Sequence, residues 1–223
     1  MPYDFNTIAG SYDRLNHLMT LGMDRLWRRR GARWLMHGMD NPKTLDVAAG
    51  TGDLTFELYR AGAKEPLVCV DLSENMLNVA RSKLSFETEF VVADAEALPF
   101  ADGSFDCIGS AFGIRNFAHL EQGLAEMARI LKPGGRLMLL ELATPDNRFV
   151  RFFYNIYAHR IIPWLGERVA GNRGAYTYLP ASIERFPKGK AMLQKLEGAG
   201  LQAKQKKLFF GVCRMYRCVK SEQ

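Results

Sequence analysis

With 223 residues, 48% of them hydrophobic and 24% charged, the chain has the size of one domain, or of one domain with an insertion, and a soluble globular composition able to bury a core. No apolar run approaches the length of a membrane span, which excludes a membrane-crossing helix. The formal charge of +6 fits nucleic acid, an anionic membrane surface or plain solubility, the last being the simplest.

Ile8, Tyr12, Leu15 and Met19 fall at helical spacing, so a short amphipathic helix precedes the core. Asp24 is placed to cap a second helix through Trp27, Trp34 and Leu35. The other face of that helix is basic, with Arg25, Arg28, Arg29, Arg30 and Arg33, and suits solvent, a membrane or a partner. Asn41-Pro42 ends this region. The pattern then alternates. Strands are expected over 44–49, 66–71, 89–93, 105–111 and 136–142, and helices over 54–61, 73–84 and 120–131, the last stopped by Pro133-Gly134-Gly135. Such alternation predicts a parallel sheet with helices on both faces.

Between 145 and 187 the rhythm breaks, in a stretch too long for a simple connection. Here Phe149, Phe152, Phe153, Ile156, Tyr157 and Ile161 make one apolar helical face, with Arg148, Arg151 and His159 elsewhere around it. An aromatic insertion after the fifth strand is placed to cap a site at the carboxyl ends of the strands, and it can pack on the core as well. A helix over 188–198 and two strands, 202–210 and 212–219, meeting at Gly211 as a hairpin complete the pattern. Cys69, Cys107, Cys213 and Cys218 lack metal-ligand spacing and read as buried reduced thiols of a cytoplasmic protein. The opening MPYDFNTIAG lacks the charged-then-apolar pattern of a signal peptide.

Residues 45–55, LDVAAGTGDLT, carry the densest chemical signal. A strand runs into a small-residue turn and a helix start, which lets backbone approach a nucleotide-like ligand. Gly50 and Gly52 free the turn, and Thr51 and Asp53 put polar groups at its mouth. An ordinary strand–helix turn reads the same way. Asp71, ending the second strand, lies where an acid hydrogen-bonds ribose hydroxyls in dinucleotide folds. NAD and an adenosyl compound both suit that acid. The spacing Asp46-x-Ala48-x-Gly50-x-Gly52 continues into Leu54-Thr55 and lacks the pyrophosphate cradle, so a ligand without a pyrophosphate fits better.

That turn, the acid after strand two and the closing hairpin together resemble the class I S-adenosylmethionine-dependent methyltransferases. Longer motifs narrow the resemblance: FNTIAGSYDRLNHLMTLGMDRLWRR over 5–29, DLSENML from Asp71, ADAEALPFADGSFD from Ala93, FGIRN from Phe112, LKPGGRL from Leu131 and AYTYLPASIERFP from Ala175. With LDVAAGTGDLT they resemble the C-methyltransferases of menaquinone and ubiquinone biosynthesis over essentially the whole chain. The C-terminal half most resembles the demethylmenaquinone branch. LDVAAGTGDLT and LKPGGRL are common among methyltransferases; the N-terminal stretch, FGIRN and YTYLPASIERFP are far more specific.

The resemblance implies a Rossmann-like α/β fold: a seven-stranded, mostly parallel sheet with an antiparallel C-terminal hairpin. The single domain spans 1–223, with an N-terminal helical cap over 1–42 and an inserted helical, aromatic cap over 145–187. It implies S-adenosylmethionine as cofactor, no metal, and a prenylated quinol methylated on a ring carbon ortho to a hydroxyl. Ala48, Gly50, Thr51 and Gly52 then line the amino acid and sugar end, and Asp71 holds the ribose. Leu72 and Met76 flank the adenine, and Asp94-Ala95 lies where a carboxylate accepts from the adenine amino group. Met76 also fits the helix core, and Asp94 also fits a turn cap.

Arg115 is implied to stabilise a developing phenolate beside a water that Asn116 orients. Tyr12 is placed to hydrogen-bond the ring oxygen or close over the cofactor. Arg115 also fits a core salt bridge, and Tyr12 simple packing. Tyr154, Tyr157, Tyr176 and Tyr178 are implied around the ring or its tail, and His17, His119 and His159 are further candidate bases. A membrane-resident substrate implies a cytoplasmic protein in reversible contact with the inner face of the cytoplasmic membrane, through the aromatic face at 149–161 and the basic face at 25–33. A homodimer is compatible with the sequence. Nucleic acid is not expected, because no aromatic platform pattern is present.

Two positions and the ending GVCRMYRCVK depart from the family pattern. Ala48-Ala49-Gly50 stands where GGGTG or AGGTG is common, and Ala111 stands where serine often precedes Phe-Gly. Ser110 is no automatic substitute, since it points to the other face of its strand. The alternatives are the ubiquinone branch, an O- or N-methyltransferase of another small molecule, and a non-catalytic RNA- or membrane-binding module.

Overall fold

Seven strands form one sheet: β1 (Thr44–Val47), β2 (Leu67–Asp71), β3 (Thr88–Val92), β4 (Phe105–Ala111), β5 (Leu131–Leu142), β6 (Leu201–Leu208) and β7 (Cys213–Lys220). Their spatial order is β3-β2-β1-β4-β5-β7-β6. The first five pair in parallel, and β7 runs antiparallel to both β5 and β6. The computed structural model describes residues 12–64, 66–162 and 173–222, without the side chains of Tyr12, Leu15 and residues 173–178. The expected contributions of Ile8, Leu15, Tyr176 and Tyr178 therefore lie outside the described residues or side chains. The strand order reverses between β1 and β4, so the crevice beyond their carboxyl ends is the switch point where open α/β sheets take ligands.

Helices α1 (Tyr12–Met19), α2 (Met23–Met36), α3 (Asp53–Arg60), α4 (Glu74–Lys83), α5 (Leu120–Ile130), α6 (Arg148–Ile156), α7 (Arg173–Arg185) and α8 (Lys190–Gly198) surround the sheet. Side chains alternate along β5. Leu137 and Leu139 enter the core with Leu124 and Met127 of α5 and Met192 and Leu196 of α8. Met138 and Leu140 enter the opposite core with Trp27 and Leu35 of α2 and Leu54 and Leu58 of α3. α2 presses closely on the sheet, for a Cβ at Gly31 would stand 2.8 Å from the Met138 sulfur. No helix among the described residues is long and apolar enough to cross a membrane.

The expected elements are present, with local corrections. The first strand stops at Val47 rather than at residue 49, because Ala48 turns into the left-handed region at φ 54°. β5 begins at Leu131, directly after α5, through an irregular pairing with β4 between Phe105 and Cys107. The LKPGGRL stretch is thus strand where a helix end and a gap were expected. Ser73 is the N-cap of α4 and accepts from the Met76 N–H, whereas Asp24 caps nothing. Gly22, at φ 73°, precedes α2, and Asp24 lies buried in its first turn. Arg28 also leaves the expected basic face and is only 5% exposed, while Arg25, Arg29, Arg30 and Arg33 stay in solvent. The hairpin does not turn at Gly211 alone; Phe209–Gly211 forms a short 3-10 turn after β6 has ended.

Ala48 after β1 and Phe112 after β4 both hold positive φ, 54° and 62°. Such a conformation costs a non-glycine residue about 1–3 kcal/mol and collects at functional sites. Both residues border the switch-point crevice.

Candidate active site

Two cavities meet at that crevice. The first follows the carboxyl ends of β1, β2 and β4 and is lined by the 48–51 turn, Asp71-Leu72, Met76, residues 93–96 and 111–113. All the expected cofactor residues except Gly52 line it. Gly52 shapes the turn from behind at φ 80°, where a Cβ would touch Ala80 and Leu84. The β1 and β4 turns touch, for a Cβ at Gly113 would lie 2.5 Å from that of Ala48. Ala48 thus fills the space beside Gly113 while leaving the cavity open.

The carboxylate of Asp71 accepts from the Gly50 N–H at 2.8 Å through Oδ2 and from the Ser73 N–H at 2.8 Å through Oδ1. Burial raises its carboxyl above the ordinary value, against the opposing backbone donors of Ser73, Gly50 and Leu72. Leu72 is exposed and Met76 buried, and both border the cavity. Asp94 does cap its turn, accepting from the Glu96 N–H at 2.9 Å, and it also lines the cavity beside Ala95. The Thr51 hydroxyl donates to Asp13 of α1. Lys83 then ties Asp13, at 2.7 Å, to Asp53, at 2.5 Å, so α1 is strapped across the turn.

Sequence reasoning missed Asp46 as a site residue. It is fully buried in β1, its Oδ2 accepts from Thr55 at 2.7 Å, and its Oδ1 has no hydrogen-bond partner among the described residues. Burial pushes its carboxyl up to about 7, although the Thr55 hydrogen bond and nearby Arg28 oppose the rise. An orphaned carboxylate oxygen bordering a cavity asks for a donor. The signal in the sequence was an acid inside an otherwise apolar strand.

The second cavity, about 320 Å³ and mostly apolar, lies between α1, α2, α6, α7 and the hairpin tip. Arg28 and Phe112 line both cavities, so the two spaces adjoin there. The Arg28 guanidinium carbon stands 4.9 Å over the Phe112 ring. Its Nη1 pairs with Asp24 and lies 3.5 Å from Asp53. Asp24 is the one carboxylate lining this second cavity among the described residues. It also accepts from Thr20 at 2.6 Å and from His17 Nδ1 at 2.8 Å. Burial alone would raise its carboxyl; Arg28 and the Thr20 and Arg28 hydrogen bonds outweigh that and hold it below the usual range.

Arg115 lines the apolar cavity and is anchored beneath it. Its Nη1 donates to Glu141 at 2.9 Å and to the Phe112 carbonyl, and its backbone N–H reaches Glu141 at 3.2 Å. Burial raises the Glu141 carboxyl and Arg115 opposes the rise. The core salt bridge and a place in the cavity wall are therefore both present. Burial also pushes the phenol of Tyr154, on the same wall, up to about 12. Asn116 is buried and lines the first cavity and an outer cleft shared with Arg115, not the apolar cavity. Tyr12 opens α1, and its side chain lies outside the described ones. His119 pairs with Glu96, which lines the first cavity, and His159 with Glu184; neither histidine itself lines either cavity. Ala111 borders the first cavity and Ser110 does not.

A family model described as the ubiE/COQ5 methyltransferase family matches residues 3–220. A demethylmenaquinone methyltransferase of Bacteroides fragilis is 42% identical, covering 97% of this chain and 90% of its own. The ubiquinone/menaquinone biosynthesis C-methyltransferase UbiE of Hahella chejuensis is 39% identical, again covering 97% of this chain and 90% of its own. A solved S-adenosylmethionine-dependent methyltransferase of Thermotoga maritima shares the fold, with a TM-score of 0.66 at 19% identity over 97% of this chain and 98% of that one.

Proposed function

The chain belongs to the ubiE/COQ5 methyltransferase family, and on that premise we propose that it methylates a ring carbon of a prenylated quinol, with demethylmenaquinol as acceptor and S-adenosylmethionine as donor. The observation that carries this reading is the junction of a polar cavity with an apolar one at Arg28 and Phe112.

The first cavity has the polarity of an adenosyl amino acid laid along it. Arg28 would hold the methionine carboxylate and the Asp46 Oδ1 its ammonium. Asp71, anchored by two backbone donors, would present its remaining lone pairs to the ribose, and Leu72, Met76 and Asp94 would hold the adenine. When bound, the cofactor supplies an electrophilic methyl group.

The chain's own task lies in the second cavity. Replacing a ring hydrogen by methyl releases one proton, and the ring carbon becomes nucleophilic as the adjacent hydroxyl ionises. A phenol ionises near pH 10, so a fixed cation is needed. Arg115, always protonated and held by Glu141, stabilises the phenolate. The released proton passes to water; Asp24, paired with Arg28 and held below the usual carboxylate range, stays ionised on the same wall and is too weak a base to take it. Apolar walls keep bulk water out and accept the tail.

The aromatic face of α6 supports contact with a membrane surface. None of the residues in α6 is buried, and Phe149 and Phe152 are 73% and 62% exposed. A surface helix of this kind carries a tail-bearing substrate's enzyme to the bilayer reversibly.

Two measurements test the reading. Demethylmenaquinol and the corresponding ubiquinone precursor are offered side by side with simple phenols and amines. Turnover is expected on the quinols, fastest on demethylmenaquinol; turnover confined to phenols or amines refutes the assignment. The second concerns pH. Asp46 keeps its proton to about pH 7 in the folded apoprotein but loses it near 3.9 when unfolded. Its contribution to stability is thus complete below about pH 4 and is lost as pH rises through 7. An ammonium partner favours the ionised form, so cofactor affinity should weaken as pH falls below 7, with proton release on binding. Asp46→Asn should flatten that dependence in calorimetry; an unchanged profile removes Asp46 from the cofactor site.

A further inference from the structure

The tip of the β6–β7 hairpin is unusual in three respects. Phe209 and Phe210 are 51% and 75% exposed, with rings 5.6 Å apart. Both hold positive φ, 42° and 55°, where a turn ordinarily takes glycine or asparagine and a bulky aromatic is strained. Phe209, with Phe153 and Leu21, also lines the apolar cavity. Phe209 also tilts against the buried Trp27 ring at 6.5 Å, but core packing does not account for the strained, solvent-facing Phe210 beside it.

The tip is fixed to the start of α6. Asp146, just before α6, pairs with Lys207 at 2.7 Å and with Arg214 at 2.7 Å, and the Ala143 N–H donates to the Val212 carbonyl at 2.9 Å. Hairpin tip and α6 therefore stand as two aromatic prongs beside one cavity mouth. The charge on them is mainly positive: residues 148–161 and 206–210 contain three arginines and two lysines and no carboxylate, with Arg148, Arg160 and Lys206 exposed, while Asp146 and Glu184 stand beside them against Lys207 and His159.

We infer that Phe209-Phe210 is a membrane wedge that enters an anionic phospholipid bilayer together with α6, so that the cavity mouth opens into the acyl region and the prenyl tail enters it sideways without crossing water. The idea rests on the quinol reading for its tail, and on aromatic exposure, strain and charge for its surface. Aromatic rings settle at the bilayer interface while neighbouring cations meet the headgroups.

The test uses the full chain and vesicles of phosphatidylcholine with or without phosphatidylglycerol. Phe210→Asn keeps a residue that tolerates the left-handed turn and removes only the ring. Partitioning onto anionic vesicles is expected to weaken about tenfold, and KM for a long-tailed quinol in vesicles to rise. The thermal midpoint, S-adenosylhomocysteine binding and turnover of a short-tailed soluble quinol should stay at wild-type levels. In Phe210→Trp, brominated lipids should quench the new indole only when the vesicles are anionic. Wild-type partitioning of Phe210→Asn with no quenching in Phe210→Trp overturns the wedge. So does a loss of self-association in Phe210→Asn with vesicle binding intact, which would assign the patch to contacts between copies of the chain. If wild-type protein methylates neither quinol, the functional reading fails, and the vesicle and quenching results still decide the wedge.

Discussion

Arg115→Lys is expected to lower turnover on demethylmenaquinol by roughly 10²- to 10³-fold, the loss associated with removing one preorganised donor to a developing oxyanion. The guanidinium is fixed by the Phe112 carbonyl and by Glu141 at 2.9 Å, and its side chain is only 6% exposed. Lysine keeps the charge opposite Glu141 but gives up the planar guanidinium whose Nη1 serves both Glu141 and the Phe112 carbonyl. S-adenosylhomocysteine affinity should stay at the wild-type value, because Arg115 does not border the cofactor cavity. Arg115→Met is the wrong variant for this question. It leaves the Glu141 carboxylate buried without its partner, a defect of about 3–5 kcal/mol that would show as unfolding. Unchanged turnover in Arg115→Lys would reduce Arg115 to a structural counter-ion of Glu141.

Arg28→Met should damage both binding and chemistry. Arg28 is the cation at the junction, paired with Asp24, near Asp53 and stacked on Phe112. A charge-assisted hydrogen bond to a carboxylate is worth about 1.5–3 kcal/mol, so cofactor affinity is expected to fall by roughly 10- to 150-fold. Asp24 retains Thr20 and His17, so the fold should survive with a lowered thermal midpoint. Arg28→Lys should recover part of the affinity. Wild-type S-adenosylhomocysteine affinity in folded Arg28→Met would show that Arg28 only neutralises Asp24.

The sheet was readable because β1, β2 and β4 are short apolar runs with turn residues at their ends, and the amphipathic helices between them repeat at helical spacing. The ends were less readable. That Ala48 would take positive φ depends on its contact with Gly113, some sixty residues away in sequence. The strand character of Leu131 depends on Phe105.

The first cavity is built mainly from turns after successive strands, so local motifs locate nearly all of it. The apolar cavity gathers residues from α1, α2, the turn after β4, β5, α6, α7 and the hairpin tip, and no local period marks such a set. Its charged members nevertheless left traces. Asp24 and Arg28 stand four residues apart, a pairing distance on a helix, yet Arg28 was counted with four neighbouring arginines as one basic face. Glu141 interrupts the apolar run Leu137–Leu140, as Asp46 interrupts β1, and a carboxylate inside a buried strand requires a partner. In Arg115 that partner was already a candidate for the site.

The central claim is that a methyl group passes from the polar cavity to a ring carbon held in the apolar one. A single turnover with methyl-labelled S-adenosylmethionine and demethylmenaquinol, followed by locating the label in the product, tests it most directly. The label is expected on the ring carbon ortho to a hydroxyl, with one S-adenosylhomocysteine formed per methyl transferred. Label on a quinol oxygen, or cofactor consumed with no label in the quinol, would contradict it.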